Sequence, residues 1–231
     1  VESRDRHGNG RSISVSTGFA NDDGSADQRI RAAATPEELA EALLQGRVIV
    51  AVVAVADEID DDGSDKSSHM SVVSMVAADG RRGLLAFSGL DSLTAWNPEA
   101  RPVPVSGRDA ARAAVDDGCE ALVLDVAGPQ PKVVEEANLV RIAGVDLLAH
   151  VSSVLTRHFD NTLDPAVVES IGIDGDRDSG RLRLTVPHDN AQQISQMIPE
   201  RVLALVPAGV ELVAADEEQA RSHETTDETD Y

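Results

Sequence analysis

The chain has 231 residues, of which 42% are hydrophobic, 26% charged and only 2% aromatic, enough length and apolar content for one large or two small domains with a real core. Twenty basic residues against 41 acidic ones give a net charge of −21, a field that repels nucleic acids and anionic membranes, so neither is expected as a partner. The single cysteine, Cys119, excludes an internal disulfide, and no apolar run reaches the ~18 residues of a membrane span, which points to a cytoplasmic protein.

Residues 1–34 are rich in Gly, Ser, Asn and Asp, and their five acids cancel five bases. They read as a disordered arm. The first helix signal follows: Thr35 as N-cap, Pro36 at the first helical position and Glu38 closing a capping box, with Leu39, Leu43 and Leu44 as the apolar face and Gly46 as the stop. The run RVIVAVVAVA (47–56) is apolar without alternation, which predicts a central strand covered on both faces. An acidic loop (57–66) separates it from strands near 70–78 and 82–88, joined by a tight turn at Asp79-Gly80. Ser88 and Asp91 are spaced as a helix-capping pair, and Ser106 with Asp109 repeats the signature for a helix ending at Gly118. Between them Pro98, Pro102 and Pro104 keep the chain extended or looping. CEALVLDVAG (119–128) is a second buried strand, with a short one after GPQP.

From Asn138 to Phe159 the pattern turns helical, with Leu148, Val151, Val154, Leu155 and Phe159 near one face. Residues 144–160 are taken as a connecting helix. Beyond it, 161–215 reads strand–strand–helix–strand, with Pro199 breaking the helix. Such a small unit is expected to pack on the first domain or on a second copy of the chain, so a homo-oligomer is one expectation. The tail 216–231 carries seven acids and one arginine and is expected to be solvated and disordered. The fold class predicted is α+β: a mixed, largely antiparallel sheet with helices packed mainly on one face, followed by the connecting helix and a small ββαβ unit.

The chemistry-bearing candidates are few. Asp174, Asp176 and Asp178 alternate in a glycine-containing loop and could converge on a hard cation such as calcium. The glycine spacing and Thr185 at the twelfth position depart from a calcium loop, and a solvated hairpin turn is the better reading. The acids at 57–65 lack fixed ligand geometry and read as a connection. The histidines (His7, His69, His150, His158, His188 and His223) form neither HExxH nor His-x-His, and His150 and His158 are expected at a solvent edge. Cys119 starts a buried strand behind Asp116 and Asp117, whose charge would raise a thiol pKa. No G-x-S-x-G elbow, phosphate loop or dinucleotide fingerprint occurs. No catalytic residue and no cofactor is therefore assigned. Trp96, the only tryptophan, either closes the core under a short helix or, with Arg101 among the prolines, forms a partner-binding edge.

The segments TPEELAEALLQGRVIVAVV, HMSVVSMVAADGRRGLLAFSGLDSLTAWNPEARPVPV and GCEALVLDVAGPQPKVV together resemble the N-terminal domain of the SseB family, named for enhanced serine sensitivity in bacteria. The resemblance is actinobacterial in character and covers about residues 35–143. It implies an uncharacterised family without accepted catalytic residues, so nothing catalytic carries over. Together these readings lead to a non-enzymatic cytoplasmic protein acting through contact with another protein, in a regulatory or adaptor role. A small-molecule or cation-binding domain is the alternative, and a hydrolase of unrecognised type the third.

Overall fold

The computed structural model describes residues 17–55, 69–169, 171–176 and 181–215. The chain divides into two compact units, 1–145 and 146–231. In the first, α1 (Gln28–Ala32), α2 (Pro36–Gln45) and β1 (Arg47–Val55) are followed by β2 (His69–Val72), β3 (Ser74–Val76) and β4 (Arg82–Phe87). Then come α3 (Leu90–Trp96), β5 (Arg101–Ser106), α4 (Gly107–Asp116), β6 (Ala121–Leu124), β7 (Lys132–Glu135) and α5 (Glu136–Ala143). The capping box at Thr35 forms as expected: Oγ1 accepts the Glu38 N–H at 3.1 Å while the Glu38 carboxylate accepts the Thr35 N–H at 3.2 Å.

The sheet is mixed and forked. β1 lies between antiparallel β5 on one side and β4 and β2 on the other. β1 and β4 pair directly at Ile49–Phe87 and Val50–Ala86. They then diverge, and the run 69–76 enters the fork, β2 on β1 and β3 on β4. Val73 bridges both sides: its N–H reaches the Ala51 carbonyl at 3.1 Å and its carbonyl accepts the Leu85 N–H at 2.9 Å. β4 runs parallel to β6, and β7 closes antiparallel on β6. Both long apolar segments are thus central, as their lack of alternation predicted. β5 pairs only with β1 among the described residues, which suits Pro102 and Pro104, since proline has no N–H to give an outer strand.

Each face of the sheet has its own core. Val48, Val50 and Val52 join Leu84, Leu122 and Leu124 under α1, α2, α4 and α5. Ile49, Ala51, Leu85 and Phe87 face the other way, toward Leu93 of α3. Helices cover one face broadly and the other only through α3. Residues 17–34 depart from the expected arm. Asp27 caps α1, and Ile30, 0% exposed, is part of the larger core. One apolar residue at the right place outweighs a polar composition, because a buried isoleucine contributes about 1.5–3 kcal/mol. Residues 1–16 and the tail 216–231 lie outside the described residues.

The second unit holds α6 (Leu147–Asp160), α7 (Pro165–Glu169), β8 (Gly172–Asp176), β9 (Arg181–Pro187), α8 (Ala191–Met197), α9 (Glu200–Leu205) and β10 (Val210–Ala215). Its sheet has the order β10-β9-β8, with β9 antiparallel to β8 and parallel to β10. The helical pattern from 138 to 159 is two helices. Gly144, in the left-handed region at φ 67°, closes α5 before α6 starts. Nor does α6 merely connect: Val151, Val154, Leu155 and Phe159 are core residues of this unit, against Leu182, Leu184 and Val186 of β9. Pro199 separates α8 from α9, as its missing N–H requires. No helix among the described residues is long and apolar enough to cross a membrane.

Candidate functional site

The densest polar construction lies at the carboxyl ends of the parallel strands β4 and β6. Ser88, 0% exposed, uses every polar atom it has. Its N–H donates to Asp125 Oδ1 at 2.8 Å, and its Oγ accepts from Arg31 Nε at 3.0 Å. Its carbonyl accepts from Arg47 Nη1 at 2.8 Å and from the Asp27 N–H at 3.0 Å. Arg31 continues to both carboxylate oxygens of Asp91 at 2.6 Å and to Ser92 Oγ at 3.1 Å. Arg47 holds Asp22 Oδ1 at 2.8 Å, and that hydrogen bond holds the Asp22 carboxyl below its usual range. Asp125, the first residue of the Asp-Val-Ala-Gly turn, sits at φ 51°, the left-handed region that costs a non-glycine residue of order 1 kcal/mol.

This network corrects the reading of Ser88 as a helix cap. Gly89 occupies the N-cap of α3 with no side-chain bond, and Ser88 faces inward. Its partners Arg31 and Asp27 come from the segment expected to be an arm, which is why sequence spacing gave no sign of them. With the Ser88 hydroxyl hydrogen-bonded to an arginine, the group acts as a clasp between segment 22–31 and the two strand ends.

The α3 side of the sheet carries the second feature. Trp96 is half-buried and packs on Phe87, ring centroids 5.5 Å apart. Beside it the face is thinly covered. Val73 and Val123 are half-buried, and pleat and register add Met75, opposite Gly83, and Val133, opposite Val123. Met75 is 36% exposed and Val133 47%. Arg101 is exposed at the start of β5 but pairs with Val52, in the row that faces the covering helices. The register therefore places Trp96 and Arg101 on opposite faces of the sheet.

The remaining candidates are dispersed. Asp174 lies within β8, exposed and opposite Arg183, and Asp176 lies opposite Arg181. Arg183 also reaches Glu211 at 3.4 Å, so Asp174, Arg183 and Glu211 form a charged row across the strands. Asp178 and the acids at 57–65 lie outside the described residues. Among the described residues no group of three or more His, Cys, Asp or Glu is placed to hold a metal. His150 is buried, 7% exposed, rather than at a solvent edge, and His158 packs its ring against Phe159, centroids 5.9 Å apart. Cys119 is 1% exposed; burial pushes its thiol up to about 12, with the Asp117 carboxylate adding to the rise. It packs as a small core residue.

The forked mixed sheet, with helices broad on one face and a single short helix on the other, defines an α+β domain. Residues 26–140 match the SseB protein N-terminal domain, and through that domain the chain belongs to the SseB family. The matched span begins within the segment 22–31 that the Ser88 clasp holds, so α1 is part of the domain. Neither the curated proteins nor the solved structures compared with the chain give a match.

Proposed function

We propose that the protein acts in the cytoplasm as a non-enzymatic adaptor or regulator that binds another protein through the α3-side face of its first sheet. The observation that carries this reading is the continuity of Trp96, Val73, Val123, Met75 and Val133 on a face that α3 covers only in part. Aromatic and methionine side chains in such a setting give contact area at low cost in conformational entropy. The occupant is a different, less acidic protein, because two copies at −21 repel each other. Ser88 and Cys119, two buried groups of nucleophile type, both serve the packing of the domain, which favours binding over catalysis.

The test is capture of a partner from the native host, followed by binding of that purified partner to variants. Trp96→Ala and Met75→Asp are expected to weaken binding by about 30-fold or more, the size of a hot-spot loss. Arg101→Ala, on the other face, is expected to bind as wild type. Thermal melts separate folding from binding: Met75→Asp, at an exposed position, should melt within a few degrees of wild type. Full-strength binding by both face variants would overturn the reading.

A further inference from the structure

An open groove of about 400 Å³ runs between the α1–α2 linker and the start of β7, lined by residues 31–36 and Leu39 on one side and 130–133 on the other. Its volume lies in the range of small-molecule sites. Its chemistry reverses that of the chain. In a protein with 41 acids against 20 bases, no lining residue is acidic, and two, Arg31 and Lys132, are cations. Lys132 gives one N–H to the Ala33 carbonyl at 2.6 Å, which fixes the ammonium at the groove and leaves its other two N–H groups without a partner among the described residues. Arg31 engages Ser88, Ser92 and Asp91 through Nε and Nη2, which holds its plane still and leaves Nη1 likewise open. The Thr35 hydroxyl accepts from Glu38 and retains its own O–H, and Gln130 is exposed. Of the two acids in the first turn of α2, Glu38 is turned onto the Ala34 and Thr35 N–H groups and Glu37 is exposed. Leu39, Pro36 and Pro131 supply apolar walls between these donors.

We propose that this groove binds a small carboxylate ligand with an apolar body, its carboxylate received by Lys132 and Arg31. Charge-assisted bonds from two side chains already fixed by other contacts cost little ordering on binding. The site meets the α3-side face only at Val133 and adds a small-molecule input to a protein-binding domain.

Octanoate and its uncharged counterpart octanamide test it on the full chain by ¹⁵N-resolved NMR titration. Octanoate should give saturable shifts at amides of residues 31–35 and 132–133, and octanamide should bind at least about tenfold more weakly. Lys132→Gln should weaken octanoate about tenfold and Lys132→Arg largely retain it. Lys132→Gln also loses the Ala33 contact, so Gln130→Glu, at an exposed side chain with no hydrogen bond to another described residue, serves as the second variant. It should weaken octanoate severalfold by placing a negative charge in the groove while leaving the melt unchanged. Absence of saturable shifts at these amides in millimolar octanoate, equal binding of octanamide, or unchanged affinity in Lys132→Gln and Gln130→Glu would each overturn the proposal.

Discussion

The two units solve the same problem, how to finish a sheet, in opposite ways. The first buries its central strands β1 and β4 on both faces and brings polar groups inward at the strand ends, where Ser88, Asp125, Arg31 and Arg47 satisfy one another. The second covers one face only. β9 alternates strictly, with Leu182, Leu184 and Val186 inward and Arg181 and Arg183 outward, and its charges stay in a solvated cross-strand row. Buried hydrogen bonds in the first unit are costly to break because the orphaned partner stays dry. Charge pairs in the second are screened and worth little. The difference teaches where polar substitutions will matter.

The largest effects should be apolar and common to both units. Phe87→Ala, at a residue 0% exposed, should cost about 3–5 kcal/mol, and Leu184→Ala about 2–5 kcal/mol. Urea denaturation followed separately by near-UV and far-UV signals measures both, and a loss under 1 kcal/mol at Phe87 would break the two-faced description of the first sheet. Next comes Asp125. Replacement by Ala removes the acceptor for the buried Ser88 N–H and leaves a β-carbon residue at positive φ, for a loss of about 2 kcal/mol. Asn keeps an acceptor and tolerates the left-handed region, so Asp125→Asn should cost less than half as much.

Acid should act on the first unit through Asp22. Its hydrogen bond from Arg47 lowers its pKa in the folded state, with both side chains largely enclosed. A depressed folded value means this stabilisation is complete above the unfolded carboxyl value of about 4 and drains away below it, as pH falls through the lower folded value. Stability measured from pH 7 to pH 3 should therefore decline less steeply in Asp22→Asn than in wild type; parallel declines would remove Asp22 from the clasp. The smallest effect is expected in the second unit. Arg183→Ala, breaking a surface contact with Glu211 at 3.4 Å, should shift stability by no more than about 1 kcal/mol. A larger loss would erase the contrast between the two units.

The sequence by itself determined what depends on neighbours in the chain. The capping box at Thr35–Glu38, the hairpin turn at Gly80, the covered strands at 48–52 and 121–124 and the break at Pro199 are all local signals. Each rests on backbone chemistry or on apolar period within a few residues. The same kind of reasoning missed whatever depended on distant partners. Ile30 looked like part of a polar arm until α2 and the sheet supplied its core. Ser88 looked like a cap until Arg31, 57 residues away, claimed its hydroxyl. Trp96 and Arg101 looked like companions because they are five residues apart, but strand pairing decides the face, and one step of the pleat sends a side chain to the opposite side. The groove at Lys132 has the same origin. Its walls are separated by about a hundred residues of chain, and only the packing of β7 beside the α1–α2 linker brings two cations together in a protein made mostly of acids.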